Sequence, residues 1–144
     1  MVAFADTGFI ASLYLKESTS AQARAAVQAA QIVLPITPLV MLELRNAFNR
    51  SVKRQRITPA QRDALWQDVE ADIAGGFLVP TPVPSDELHK RARQLSDLYT
   101  PTLGTRSLDL LHVAAALILG AKELFSFDDR QRKAAASEGL KVRP

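Results

Sequence analysis

The sequence contains no cysteine. Disulfides, thiolate metal sites and cysteine nucleophiles are therefore excluded. Histidine is almost as scarce, with 2 in the whole chain, so a metal would have to be held by oxygen or by one of those two rings. No targeting signal is visible: the opening MVAFADTG lacks a basic stretch and meets Asp6 too early for a signal peptide. The apolar run from Leu110 to Leu119 is only about half a membrane span. No internal repeat, low-complexity tract or linker is present. The expectation is a cytoplasmic protein with no membrane association. What is there is ordinary globular composition, 47% hydrophobic and 23% charged. A length of 144 residues suits one core, so residues 1–144 read as a single domain. A net charge of +3 is compatible with a polyanionic partner without requiring one.

Short apolar runs alternate with helical patterns. Val2 to Ala5 reads as a first strand, followed by a turn at Asp6-Thr7-Gly8 and a helix. Thr37-Pro38 and Thr58-Pro59 each read as a cap with proline at the first helical position. Gly75-Gly76 stops the second of these helices. Strands are also expected around Ile32–Ile36, Phe77–Val79 and Leu140–Val142, and Pro35 suggests a shorter or outer position for its strand. A helix from Ser85 to about Tyr99 precedes a loop over 100–105. The alternation predicts an α/β fold: a three-layer α/β/α sandwich around a central, mostly parallel sheet.

The stretch SLDLLHVAAALILGAKELFSFDD, from Ser107 to Asp129, carries most of the chemistry. It reads as a buried helix with Asp109 in its first turn, a glycine turn, an apolar strand, and Asp128 at the strand's carboxyl end. Ligands of open α/β sheets sit beyond those ends. Asp6 ends the first strand in the same way, and Glu43 rides the edge of a buried helix face among Leu39, Val40 and Leu44. Each acid alone also has a plain reading: a turn residue or cap for Asp6 and Asp128, a dipole partner for Asp109, a boundary residue for Glu43. Together they form a candidate cluster. Clustered carboxylates repel one another, and a hard divalent cation, Mg²⁺ or Mn²⁺, relieves that with oxygen ligands. Such a site suits phosphodiester hydrolysis by an activated water. Of the adjacent pair, Asp128 is expected to be the functional acid, with Ser126 beside it, and Asp129 to cap the helix that follows.

The stretches ADTGFIASLYLKE, PLVMLELRNAF, RSLDLLHVAAALILGAKELFSFDDR and GLKV resemble a PIN-domain ribonuclease, more narrowly the toxin of a VapBC toxin–antitoxin pair. The resemblance implies that Asp6, Glu43, Asp109 and Asp128 match the family's acidic metal-binding positions, and that Thr7 and Ser126 match its polar helpers. Ser126 stands where the family more often shows threonine. It further implies an RNA substrate, a Mg²⁺- or Mn²⁺-dependent endoribonuclease activity and a cognate antitoxin. The alternative is a non-catalytic PIN-like scaffold that binds RNA or protein. An aspartic protease would need a β-rich fold and a second such aspartate, and a haloacid-dehalogenase-type phosphatase would need an acid where Gly8 stands.

Arg45, Arg50, Lys53, Arg54 and Arg56 gather on and after one helix, either complementing its dipole or forming a rim for RNA. Arg106 and Arg130, beside Asp109 and Asp128, are further candidate RNA contacts. His112 reads as a packed, hydrogen-bonded histidine or a donor to one of the acids. Trp66 with Leu65, Val69 and Ile73 forms an apolar stripe suited to core packing or a partner's helix. The apolar surface of these two helices predicts a homodimer.

Overall fold

The computed structural model describes residues 3–144; Val2, expected to open the first strand, lies outside them. Among the described residues twelve elements follow one another: β1 (Ala3–Ala5), α1 (Thr7–Tyr14), α2 (Ser20–Ala30), β2 (Leu34–Ile36), α3 (Pro38–Lys53), α4 (Pro59–Ala74), β3 (Leu78–Pro80), α5 (Ser85–Leu103), α6 (Ser107–Ile118), β4 (Glu123–Phe125), α7 (Asp129–Ser137) and β5 (Lys141–Arg143). The fold class read from the sequence, α/β with parallel strands joined through helices, is the one observed. Every strand pair among the described residues is parallel.

The chain forms two compact units. The first takes in the chain up to Phe9 together with Pro82–Pro144. Its sheet has the order β1-β4-β5, with Ala5 opposite Phe125 and Phe125 opposite Arg143. Phe4, Phe9, Leu95, Leu124 and Phe125 are fully buried in it, as are Val113 and Ala114 to Ala116 of α6. The second unit is Ile10–Thr81. Its β2 and β3 pair in parallel, with Pro35 opposite Val79. Its core holds Leu34, Ile36, Leu44, Phe48, Val69 and Leu78.

Helix starts follow local chemistry. Thr37 and Thr58 cap α3 and α4 through their hydroxyls, each with proline just inside the helix. Gln61 completes a reciprocal capping box with Thr58. One boundary differs from expectation. Residues 100–103, read as loop, continue α5, with Pro101 inside the helix. Proline this close to a helix end forfeits one backbone bond that the rest of the helix does not need. The stop falls instead at Gly104, whose φ of 66° suits the left-handed cap and whose N–H bonds Thr100 O. The Thr100 and Thr105 hydroxyls, 2.8 Å apart, fasten that turn.

Candidate active site

Parallel pairing of β1 with β4 brings two carboxyl ends side by side. The Asp6 amide continues the ladder to Phe125 O at 3.1 Å, so Asp6 and Ser126 emerge next to each other. The Ser126 hydroxyl donates to Asp6 Oδ2 at 2.6 Å and accepts the Asp128 amide at 3.1 Å. Both residues are buried. The hydroxyl beside the acid that the strand-end pattern suggested is therefore present, and it links the first acid to the last.

The three candidate acids of this unit, Asp6, Asp109 and Asp128, sit at helix N-termini and satisfy backbone donors there. Asp6 Oδ1 accepts the Phe9 amide of α1 at 2.8 Å. Asp109 Oδ2 reaches back to the Arg106 amide at the start of α6 at 3.3 Å. Asp128 Oδ1 accepts the Gln131 amide of α7 at 2.8 Å. The last contact corrects an expectation: Asp128, not Asp129, caps α7, because the helix begins one residue earlier than predicted, at Asp129. The plain and functional readings of these acids are thus compatible. One oxygen of each carboxylate is held by a helix-start amide, and the partial positive charge of three helix N-termini is directed at the group.

The acids still repel. Burial pushes the Asp6 carboxyl above its ordinary value, against the pull of Ser126, the Phe9 amide and His112, while the charge of Asp128 pushes it further up. Asp109 is also raised, first by burial and then by Asp128, with the Arg106 amide and guanidinium and His112 opposing. Behind them, Thr7 Oγ1 lies 3.4 Å from Nε2 of His112, whose ring packs 6.3 Å from that of Phe4. His112 is the packed histidine of the plainer reading. His89 is exposed.

The donor set suits a hard divalent cation. Asp109 Oδ1 and Asp128 Oδ2 accept no hydrogen bond among the described residues, and anchored Asp6 retains lone pairs on both oxygens. No group of three or more acids or histidines stands at metal-binding geometry among the described residues. Mg²⁺ does not need one, since it binds through one or two carboxylates and keeps its waters. A cavity of about 580 Å³ lined by Glu87, Lys90, Arg91, Gln94, Leu117 and Ile118 contains none of the three acids.

Gln131 was not anticipated from the sequence. It is fully buried, and besides donating its amide to Asp128 it donates Nε2 to the Asp109 carbonyl at 3.2 Å. It therefore ties the first turn of α7 to that of α6. A glutamine among RQRKAAA reads as surface, and no local signal separates it from its neighbours. Arg106 is 74% exposed at its side chain, with Nε 3.9 Å from Asp109 Oδ2. Arg130 donates to Gly104 O at 3.3 Å, and Asp129 is exposed.

Glu43 belongs to the second unit, half-buried on α3 between Val40 and Leu44. Arg45 lies on the same helix. Its guanidinium is 5.1 Å from the centre of the Trp66 ring and 4.0 Å from Asp63, so it contributes to packing between α3 and α4.

Residues 3–137 match the model of the PIN domain, and the chain belongs to the PIN-domain family. No curated protein sequence matches it significantly. Solved structures share its fold at low identity. VapC20 of Mycobacterium tuberculosis, described as a Sarcin-Ricin loop cleaving toxin, has 21% identity and a TM-score of 0.70, with 99% of each chain covered. FitAcB from Neisseria gonorrhoeae has 16% identity and a TM-score of 0.69, covering 99% of this chain and 97% of that one. VapBC2 from Rickettsia felis, bound to a DNA fragment from its promoter, has 15% identity and a TM-score of 0.68, covering 99% and 98%.

Proposed function

We propose that this protein is a Mg²⁺- or Mn²⁺-dependent endoribonuclease and the toxin of a VapBC-type toxin–antitoxin pair. The observation that carries the reading is the three-acid arrangement in a PIN-family chain: Asp6, Asp109 and Asp128 each anchored through a helix-start amide, with open oxygens on Asp109 and Asp128. Bound by these carboxylates, the cation would lower the pKa of water and neutralise charge developing on the phosphate. The protein's own part is positional. Ser126 fixes Asp6 and, through its contact with the Asp128 amide, the spacing of the two strand-end acids. Gln131 holds Asp109 and Asp128 in register. Arg106, extended into solvent beside Asp109, would meet a substrate phosphate. Glu43 enters the proposal on its family position, and Thr7 as a helper beside Asp6.

The structural relatives include VapBC complexes, which supports an antitoxin as partner. No helix of the described residues is long and apolar enough to cross a membrane. A homodimer through α3 and α4 is part of this reading, with Leu42 the large apolar side chain exposed on α3 among the described residues. The experiment is incubation of purified protein with end-labelled RNA, with and without the small protein encoded by the neighbouring reading frame. Internal cuts that the small protein suppresses are expected. Intact RNA under every divalent-metal condition would reject the nuclease reading, and cleavage indifferent to the small protein would reject the toxin pairing.

A further inference from the structure

Residues 44–62 hold six of the 18 lysines and arginines and not a single acid. All of the protein's net positive charge resides in this segment. It is the second half of α3, the turn to α4 and the start of α4. The six cations divide into two groups. Arg45 and Arg62 are engaged: Arg45 over Trp66 and near Asp63, Arg62 with Asp63 at 3.0 Å and with Asn49 at 3.2 Å. Arg50, Lys53, Arg54 and Arg56 are exposed and make no side-chain hydrogen bond or ion pair among the described residues.

The helix dipole accounts for only part of this. Arg50 and Lys53 lie in the last turn of α3, where cations are favourable. Arg54 is the C-cap and Arg56 lies beyond it, so the dipole does not call for four cations around one turn, and their mutual repulsion opposes folding. The turn is also held rigidly. Phe48 meets Trp66 edge-on at 6.1 Å, Thr58 and Gln61 box the start of α4, and Gln55 sits at φ 59°, a conformation that costs energy for a residue with a side chain. Three of the four exposed cations are arginine, whose planar fork matches phosphate geometry.

We propose that the α3–α4 turn is a phosphate-binding site for RNA, with Arg50, Arg54 and Arg56 as its principal contacts and Lys53 adding charge. The ligand is the ribose-phosphate backbone, bound without regard to base and without metal. The proposal rests on the ribonuclease reading for the choice of RNA, and extends it to a surface carrying none of the acids.

The test is fluorescence anisotropy with a labelled single-stranded RNA across a salt series. EDTA is kept present so that binding is read without cleavage. The variant is Arg50→Gln/Arg54→Gln/Arg56→Gln, and the control is Lys16→Gln/Lys122→Gln/Lys141→Gln, which removes equal charge from exposed positions elsewhere. The arginine variant should bind at least about tenfold more weakly at low salt, and its slope of log affinity against log salt should fall by about 2, roughly 0.7 for each lost contact. The control should retain near wild-type slope. Unchanged affinity and slope in the arginine variant, an equal loss in the control, or no RNA binding by the wild type would each overturn the proposal. So would loss of antitoxin binding with RNA binding intact, which would assign the turn to the protein partner. A parallel cleavage assay with Mg²⁺ keeps the two readings separate, because a wild type that binds through the turn but never cuts defeats only the nuclease reading.

Discussion

In the proposed reading the acids do two jobs at the level of single residues, and substitutions can separate them. In Asp109→Asn the carbonyl oxygen can still accept the Arg106 amide, while the group facing Asp128 loses its charge. Turnover should disappear. The metal-free protein should become more stable, by about 1 kcal/mol or a Tm rise of about 2–4 °C, because a raised carboxyl no longer has to ionise beside another. A melting curve in EDTA reads this, and a lower Tm than wild type would show that Asp109 is a net structural asset. Asp128 and Asp129 separate in a different way. Asp128→Asn keeps a competent cap and should cost little stability but most of the activity, whereas Asp128→Ala should also lose about 0.5–2 kcal/mol. Exposed Asp129→Asn should change neither. If Asp129→Asn is the more damaged enzyme, the strand end has been assigned one residue out of place.

Strand and helix starts determine where these residues stand, and they explain what was legible in advance. Short apolar runs ending in an acid marked β1 and β4, and Thr-Pro pairs marked α3 and α4, because each is a local chemical signal. The helix cap at Asp128 was misplaced because two adjacent aspartates are equally good caps on paper, and only the Gln131 amide distinguishes them. The continuation of α5 through Pro101 was missed because proline near a helix end is tolerated when its missing bond is not needed. Gln131 was invisible because its role depends on α6 and α7 meeting. Its Oε1 has no hydrogen-bond partner among the described residues, so Gln131→Leu removes one satisfied and one unsatisfied group, and stability should change by less than about 1 kcal/mol. Activity should fall at least about tenfold if the tie holds the acids in register. Wild-type turnover in a folded Gln131→Leu protein would show the tie to be dispensable.

A second element-level prediction concerns α1 and α4. The Tyr14 hydroxyl donates to Asp72 at 2.5 Å, and burial followed by Asp72 raises its pKa well above the ordinary 10.0. The folded state keeps this proton after an unfolded tyrosine has lost it. The stabilisation is therefore complete below pH 10 and shrinks as pH rises beyond it. Urea unfolding should show a constant advantage of wild type over Tyr14→Phe up to that pH and a declining one above. An advantage that grows above pH 10 would contradict the assignment.

At the scale of the whole molecule, an α/β chain of the PIN family places Asp6, Ser126 and Asp128 together by pairing β1 with β4, and sets Asp109 at the start of the buried α6. Three helix starts hold one oxygen of each acid and leave lone pairs for a cation, which is the basis for reading the site as metal-dependent. The most direct measurement is the rate of RNA cleavage by wild type and Asp109→Asn in parallel, first in EDTA and then with Mg²⁺ or Mn²⁺ restored. The account predicts internal cleavage by the wild type only after metal is restored, and none by Asp109→Asn in either condition. Undiminished cleavage in EDTA, or wild-type rates from Asp109→Asn with metal present, would contradict it.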